Sequence, residues 1–254
     1  MIIKTIQWNI GGGKIRKANV PVEGPYGDDG MNHIEMILKK YNADIITLQE
    51  THADNKIVQA EIIAKNIDLP HVANDVYDKS HIEDGQGLGQ AIISRFPVSA
   101  HDFKLFFNPH FETIGPSGGI WISHDKGVSR WNVDLGKENI IEVATLHLIP
   151  FRVFSINPLE EKFESLRKNI AELASPSSNT FLLQGDFNFD DTSLKQFLPD
   201  LLNQKVSEVL LDKPTTPKDR KYDHVLYRGL KHIRSEVITD VLTDHFPVYS
   251  EFEI

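Results

Sequence analysis

Six short apolar segments of this 254-residue chain each run directly into an acidic, amide or imidazole side chain. The clearest is 181-FLLQGDFNFDD-191, where an uncharged Phe-Leu-Leu run precedes a cluster of Asp and Asn. Such runs are typical of buried strands, and strand ends meet along one edge of a sheet, where α/β proteins often bind ligands. We therefore expect one site built from the strand-end residues Asn9, Glu50, His147, Asp186, Asn188, Asp223, Asp244 and His245.

The order of hydrophobic patterns predicts a single α/β domain over residues 1–254, with more strands than helices. Apolar alternation or short apolar runs predict strands at 2–9, 44–51, 88–95, after Pro97, and at 128–135, 140–148, 180–187, 222–229 and 246–254. Helical periodicity predicts helices at 31–41, 55–67, 159–173 and near 193–198. Residues 11–30 are rich in Gly, Pro and charge, which predicts a long loop.

The eight strand-end residues suit one kind of chemistry. Carboxylate and amide oxygens are the hard ligands that Mg²⁺ or Mn²⁺ prefers, and imidazoles transfer protons or contact phosphate oxygens. The chain has no cysteine, which excludes thiolate metal sites and cysteine nucleophiles, and it carries neither a serine elbow nor a Walker glycine loop. Metal-assisted attack of water on phosphorus uses every member of the set.

Each of these residues also has a structural interpretation. An Asp or Asn after a strand commonly caps a turn, and a single histidine such as His147 is more often a hydrogen-bonded core residue than a catalyst. Asp223 lies inside a strand pattern, so its carboxylate needs a partner, for which a histidine is suitable. The recurrence at six strand ends favours the functional interpretation for the set as a whole.

The order of these motifs resembles the endonuclease/exonuclease/phosphatase superfamily of deoxyribonuclease I-like, metal-dependent phosphoesterases. The resemblance rests on 8-WN-9, 48-LQE-50, 146-LHL-148, 185-GDFN-188, 222-YDHVLY-227 and 243-TDHFPV-248, which span nearly the whole chain in the family's order. It implies a four-layer α/β/β/α sandwich, in which two mostly antiparallel sheets are flanked by helices.

The resemblance also implies roles. Glu50 is the principal ligand for Mg²⁺ or Mn²⁺, with Asn9 and Asp244 nearby, and Asp186 and Asn188 orient the attacking water and the scissile phosphate. His245 is the imidazole at that phosphate, hydrogen-bonded through its far nitrogen to Asp223. His147 is a second phosphate-binding imidazole or a general acid. Gly185 is expected to allow close backbone approach beside Asp186.

The position of His147 departs from part of the family. Abasic-site endonucleases tend to carry tyrosine there, so the histidine points toward the deoxyribonuclease, sphingomyelinase, phosphoinositide-phosphatase and deadenylase members. In pancreatic-type deoxyribonucleases this histidine pairs with a glutamate on a middle strand. The corresponding segment here, 88-LGQAIISR-95, has no carboxylate, and the sequence therefore identifies no partner for His147.

The substrate class remains open between two phosphoesters. A nuclease acting on DNA or RNA is favoured by basic residues near the expected site: Lys14, Arg16, Lys17, Arg152, Lys218, Arg220 and Lys221. A phosphoesterase acting on lipid headgroups or small molecules is suggested by the aromatic segments 103–111 and 151–154. Alternatively, the basic residues are ordinary solvated loop charges, and the aromatic segments pack in the core.

The net charge of −9 is not that of a protein with a basic surface for binding nucleic acid, although a local basic rim is compatible with it. No apolar run approaches the length of a membrane span, so no stable membrane insertion is expected. The first ten residues read as a strand rather than a signal peptide, which leads us to expect a cytoplasmic protein. We also expect a monomer. A catalytically silent binding module is disfavoured because every expected catalytic residue type is present.

Overall fold

In a computed structural model, which describes residues 1–21, 24–115 and 118–254, two large β-sheets pack face to face with helices on both outer surfaces. One apolar cluster lies between the sheets, and two others lie between each sheet and its helices. The predicted α/β/β/α sandwich is therefore confirmed. Residues 22 and 23 of the predicted 11–30 loop fall outside the described residues.

The strands, in chain order, are β1 (Ile2–Asn9), β2 (Lys14–Ile15), β3 (Asp28–Asp29), β4 (Ile45–Ala53), β5 (His71–Lys79), β6 (Gly87–Ser94), β7 (Val98–Leu105), β8 (Glu112–Ile114), β9 (Ile120–Ile122), β10 (Gly127–Asp134), β11 (Ile140–His147), β12 (Phe181–Asp186), β13 (Ser207–Glu208), β14 (Asp223–Arg228), β15 (Lys231–Val237) and β16 (Val248–Glu253). The α-helices are α1 (Met31–Tyr41), α2 (Gln59–Asn66), α3 (Glu164–Ala174), α4 (Leu194–Phe197) and α5 (Pro199–Leu202). Short 3₁₀ turns occur at Gly11–Gly13, Phe151–Phe154 and Glu161–Phe163.

Each large sheet has one parallel strand pair among antiparallel neighbours. In the described residues the first sheet runs β15-β16-β1-β4-β6-β5 and the second runs β13-β14-β12-β11-β10-β7. β1 pairs in parallel with β4, and β11 pairs in parallel with β12. The carboxyl ends of these central strands carry Asn9, the Glu50 region, His147 and Asp186, so both sheets deliver strand-end residues to one edge.

The space between the sheets is apolar at one end and polar near that edge. Ile3, Trp131 and Phe252 are among the residues of the apolar part. In the polar part, Gln49 donates to the Thr145 hydroxyl on the opposite sheet at 2.8 Å. Gln184 donates to Thr5 across the same gap at 3.0 Å. An unpaired buried amide N–H is costly, so these bonds restrict how the two sheets can be aligned.

The structure contains edge strands that hydrophobic periodicity did not predict. β5 and β15 lie at the outer edges of the first sheet and have the sequences HVANDVYDK and KHIRSEV. Edge strands commonly carry charged and polar residues, because these oppose pairing with other chains. Such residues also remove the apolar alternation that marks a strand in the sequence.

The second helix begins later than predicted. The carboxylate of Asp54 accepts hydrogen bonds from the backbone N–H groups of Lys56 and Ile57 at 2.7 and 2.8 Å, which holds this segment in a turn. The helix therefore starts at Gln59 instead of residue 55. Among the described helices, none is both long and apolar enough to cross a membrane.

Candidate active site

Glu50 lies on a bulge at the site edge. The register of β4 against β6 shifts between Gln49 and Thr51, so Glu50 is the extra residue, and its φ is +55°. β5 has a second bulge against β6, between Val76 and Asp78, which makes Tyr77 the extra residue there. Bulges re-aim side chains and are common beside active sites, and these two direct Glu50 and Tyr77 toward the facing sheet.

Gly11, Gly12 and Gly13 follow Asn9 with positive φ values of 52°, 63° and 76°. A Cβ on Gly12 would lie 2.4 Å from the His52 ring, and one on Gly11 would lie 3.1 Å from Asp244 Oδ1. Only glycine combines this backbone with such close approach. The turn therefore allows the end of β1 and the segment that carries Asp244 to come together.

Asp186 lies at the centre of the cluster and is almost fully buried. Its Oδ2 accepts a hydrogen bond from Asn9 Nδ2 at 3.0 Å, and its Oδ1 accepts the backbone N–H of Asn188 at 2.8 Å. Asn188 itself has a φ of +49° and donates its amide to the Leu148 carbonyl. Asp186 Oδ2 also lies 3.4 Å from His147 Nε2 and 3.7 Å from His245 Nε2.

Asp223 and His245 form a tightly held pair. His245 Nδ1 lies 2.8 Å from Asp223 Oδ2, and the other carboxylate oxygen accepts Gln7 Nε2 from the first sheet at 2.8 Å. The backbone near His245 is fixed by the indole of Trp8, which donates to Thr243 Oγ1 at 3.2 Å and to the His245 carbonyl at 3.1 Å. The hydrogen bond to Asp223 leaves His245 Nε2 facing Asp186.

The partners of His147, which the sequence did not identify, are Tyr77 and Lys126. The Tyr77 hydroxyl lies 3.0 Å and the Lys126 ammonium 3.1 Å from His147 Nδ1. All three side chains are buried. Lys126 is also placed over the Tyr77 ring, 4.8 Å from its centroid. The family resemblance led us to seek a carboxylate partner on residues 88–95, but the partners are instead a tyrosine on β5 and a lysine just before β10.

The surroundings of Asp186, His245 and His147 shift the pKa values of these groups in different directions. Burial raises the pKa of Asp186 to about 7, with a further contribution from the charge of Asp223. Burial alone would lower the pKa of His245, but the charges of Asp223 and Asp186 outweigh it and raise that pKa well above its usual range. Burial and the charge of Lys126 hold the pKa of His147 well below its usual range. Near neutral pH, His245 is therefore charged and His147 is neutral.

Two loop features of the sequence have ion-pair roles in the structure. Asp190 and Asp191, from the segment that follows β12, both accept hydrogen bonds from Arg220, and Asp191 also binds Arg152 at 2.6 Å. Lys14 forms an ion pair with Glu83 at 2.6 Å.

In the aromatic segments, Phe106, Phe151 and Phe154 are buried in the core, which agrees with the packing interpretation.

A family model described as the endonuclease/exonuclease/phosphatase family matches residues 6–245. The chain belongs to this family. A comparison with curated proteins finds no match. As a member of the family, the chain is a phosphoesterase.

Solved structures agree on the fold. An endonuclease/exonuclease/phosphatase from Beutenbergia cavernae superposes with a TM-score of 0.77 at 16% identity, over 100% of this chain and 72% of that one. ANGEL2, a 2′,3′-cyclic phosphatase, gives 0.67 at 15% identity, covering 99% and 95% of the two chains. The 3′ phosphatase NExo from Neisseria, bound to product DNA hairpin, gives 0.64 at 16% identity, covering 99% and 100%.

Enzymes of this family generally depend on a divalent metal ion, and the donor set here fits one. Within the described residues, the carboxylates of Glu50 and Asp244 take no hydrogen bond from another side chain. Although Asp244 is exposed, desolvation by its neighbours together with the charge of Glu50 raises its pKa. In the part of the chain that the structure describes, the Asn9 amide oxygen accepts one hydrogen bond, from the Gly11 N–H at 3.0 Å, which leaves a second lone pair. A cation would offset this concentration of negative charge.

A purely geometric grouping gives a different set of ligands. One ligand atom from each of Asp186, Asp223 and His245 lies within 4.8 Å of the others. However, both oxygens of Asp223 are already occupied by His245 and Gln7, and both oxygens of Asp186 accept hydrogen bonds. The less occupied oxygens of Glu50, Asn9 and Asp244 therefore suit a hard cation better.

Proposed function

We propose that this family member is a divalent-metal-dependent phosphodiesterase that hydrolyses nucleic acid by in-line attack of an activated water. The observation that carries the proposal is the position of Asp186. Its Oδ2 lies within 4 Å of Nε2 of His147, which is neutral, and of Nε2 of His245, which is charged. A base beside one charged and one neutral imidazole suits proton transfer and charge stabilisation at phosphorus. We also propose that residues 1–254 form one domain, active as a cytoplasmic monomer.

Asn9, Glu50 and Asp244 would hold the metal, for which Mg²⁺ or Mn²⁺ is the expected ion. When bound, it would neutralise charge on the phosphate oxygens and favour deprotonation of a nearby water. Glu50 and Asn188 have positive φ values, which non-glycine residues seldom adopt. Strain of this kind is commonly retained where a functional geometry depends on it.

Asp186 is proposed to accept the proton of the attacking water. Its pKa of about 7 lets the carboxylate be ionised near neutral pH while remaining a useful base. Its hydrogen bonds to Asn9 and to the Asn188 backbone fix the direction of its oxygens. Asn188 is proposed to help orient the scissile phosphate.

His245 is proposed to donate its Nε2–H to a phosphate oxygen as an imidazolium held by Asp223. The pairing at Nδ1 fixes the ring orientation and keeps the proton on the inner nitrogen available. A charged donor aimed at developing negative charge is worth several kcal/mol in a water-poor site, by comparison with about 3–4 kcal/mol for an oxyanion-hole donor.

His147 is proposed to act as a neutral phosphate-binding donor. The Lys126 ammonium can only donate, and it lies closer to His147 Nδ1, at 3.1 Å, than to Nε2, at 3.4 Å. This favours an accepting Nδ1 and a ring proton on Nε2. That nitrogen lies 3.8 Å from Glu50 Oε1 and 3.4 Å from Asp186 Oδ2. The low pKa of His147 disfavours the general-acid alternative, because the imidazolium form is scarce at neutral pH.

Nucleic acid is favoured as the substrate class by the buried ammonium of Lys126, since the nearby arginines are already paired with Asp190 and Asp191. Lys126 provides a buried ammonium at the site, and Arg152 and Arg220 lie on the loops after β11 and before β14. The Neisseria neighbour binds a DNA hairpin. The alternative, a phosphoesterase acting on lipid headgroups or small molecules, is supported by the exposed apolar hairpin β8–β9, where Ile114 is 78% and Ile120 is 70% exposed.

The deciding experiment is cleavage of labelled single- and double-stranded DNA and RNA with Mg²⁺ or Mn²⁺. EDTA and His245→Ala should each stop cleavage, whereas His71→Ala, a histidine at the start of β5 outside the site, should not. Product lengths would separate endonuclease from exonuclease action. Absence of cleavage of every polymer, with turnover of a small phosphoester, would instead support the lipid or small-molecule alternative.

A further inference from the structure

Two histidines outside the proposed machinery, His81 and His124, stack at the mouth of the site. Their ring centroids are 5.1 Å apart with an interplanar angle of 28°. His81 lies in the loop between β5 and β6, and His124 lies just before β10, two residues from Lys126. Lys126 contacts His147 Nδ1 at 3.1 Å, so the chain that carries His124 leads directly into the proposed site.

His124 is firmly oriented. Its Nδ1 lies 3.0 Å from Asp78 Oδ2, and the backbone N–H of Asp125 donates to the same oxygen at 2.9 Å. Asp78 directly follows the bulged residue Tyr77, which contacts His147. The stack is thus attached to the same bulge that supports the catalytic cluster.

The loop that presents His81 is also fixed in place. Ser80 Oγ accepts the backbone N–H groups of Ile82 and Glu83 at 3.0 and 3.2 Å and contacts His52 Nε2 at 2.8 Å. Glu83 is clamped by Lys14. A preorganised loop loses little conformational entropy when a ligand binds to it.

His81 itself is exposed, and in the described part of the chain its ring nitrogens have no hydrogen-bond partner. Its ring contact among the described residues is the stacking against His124. Its surroundings do not favour an anion, because Asp78, Glu83 and Asp84 lie on the same loop and neighbouring strand. Desolvation by the neighbouring residues and the charge of Lys126 lower its pKa even though the ring is exposed on one side, so the neutral ring predominates at pH 7. A neutral, open aromatic face suits another flat ring better than a phosphate.

We propose that the His81–His124 stack is a base-stacking subsite that receives an unpaired nucleobase next to the scissile phosphate. This inference rests on the proposed function and narrows its substrate class to nucleic acid that is single-stranded at the cleavage point. A paired base is covered by its neighbours on both faces, whereas an unpaired base leaves a face open for the His81 ring. Stacking tolerates any base, so the subsite confers strand selectivity without sequence selectivity.

The test uses an oligonucleotide with the fluorescent base 2-aminopurine, whose emission falls on stacking. Titrations are made with Mg²⁺ in an Asp186→Asn background, in which the strand stays intact. Adding His81→Ala should weaken binding about 5- to 100-fold and abolish the quenching. His81→Phe, which keeps the flat ring but removes the nitrogens, should retain both, and His71→Ala is the matched control.

A second substrate, with an abasic analogue in place of the base, separates stacking from phosphate binding. His81→Ala should leave the affinity for this strand unchanged. The inference is overturned if His81→Phe is as impaired as His81→Ala, if both strands lose affinity equally, or if no strand binds. Hydrolysis of bis(p-nitrophenyl) phosphate by the protein with Asp186 intact tests the proposed function separately. If this substrate is not hydrolysed but the predicted quenching pattern is seen, the proposed hydrolytic activity is rejected and the stacking subsite is retained.

Discussion

The ammonium of Lys126 lies 3.1 Å from Nδ1 of His147, and in the described chain no carboxylate comes within ion-pair distance of it. Lys126 is only 4% exposed. Burial lowers the pKa of this lysine to about 8, although the charges of Glu50 and Asp186 act against the shift. A buried ammonium without a carboxylate partner is costly in the free protein. We interpret it as a group whose stabilisation comes from an anionic substrate.

Lys126→Met should therefore stabilise the fold and impair hydrolysis. The pKa of Lys126 is lower in the folded chain than in the unfolded one, so its charged form destabilises the fold fully below pH 8 and this effect fades as pH rises toward 10.5. The variant should gain up to about 3 kcal/mol at pH 7, since one pKa unit corresponds to about 1.4 kcal/mol.

Urea unfolding of Lys126→Met at pH 7 and pH 10 checks this prediction, because the gain should be smaller at the higher pH. Lys39→Met, on the exposed side of α1, is the matched control and should change little. A variant less stable than the parent at pH 7 would show that the lysine is not buried as a destabilising charge.

Asp223→Asn should lower kcat about 10²- to 10⁴-fold without unfolding the protein. The substitution keeps the shape of the carboxylate but removes the charge that, against the effect of burial, raises the pKa of His245. The imidazolium should then lose its proton at a lower pH. NMR titration of the His245 ring should show this fall in pKa, and an unchanged titration curve would contradict the proposed pairing.

Gly185→Ala should cost about 1–3 kcal/mol or more of folding free energy and should also reduce activity. A Cβ at this position would lie 2.2 Å from the Leu146 carbonyl oxygen, so β11 and β12 would have to separate. These strands place His147 opposite Asp186. Gly27→Ala, which meets no atom within 4 Å, is the control, and equal melting temperatures for the two variants would refute the close approach.

Glu50→Gln should raise the Mg²⁺ concentration needed for half-maximal activity at least about tenfold. The amide keeps the size of the side chain but removes a negative charge from the proposed ligand set. Glu61→Gln on α2 provides a control outside the site. The thermal shift caused by Mg²⁺ should fall in parallel, because metal binding to the folded state stabilises it. Identical Mg²⁺ dependence of both variants would exclude Glu50 as a ligand.

Much of the fold and the identities of the strand-end residues could be predicted from the sequence, because buried strands keep a strong apolar signal up to the point where they end. The structure brings Asn9, Asp186 and His147 together as the edge argument expects. Tyr77 and Lys126 could not be found in this way. Tyr77 lies on a polar edge strand at a bulge, and Lys126 lies in a short segment between strands. Neither position has a periodicity that marks it as inward-facing.

The basic loop residues show a second limit of sequence reasoning. Arg152 and Arg220 are near the site, but both are held by Asp191. The pairing joins residues that are 39 and 29 positions apart, and composition alone does not reveal it. In the sequence, Asp190 and Asp191 belong to the cluster of acidic and amide residues that follows a predicted strand. In the structure they orient arginines instead.

The hydrogen bond from Trp8 to Thr243 joins residues 235 positions apart, and β16 pairs directly with β1. Such a contact closes a long loop and can form only when both segments are present. On the ribosome, β1 has no neighbour on that side until the segment carrying Asp244, His245 and β16 has been synthesised. A nascent chain can therefore hold Glu50 and Asp186 and still lack an assembled site.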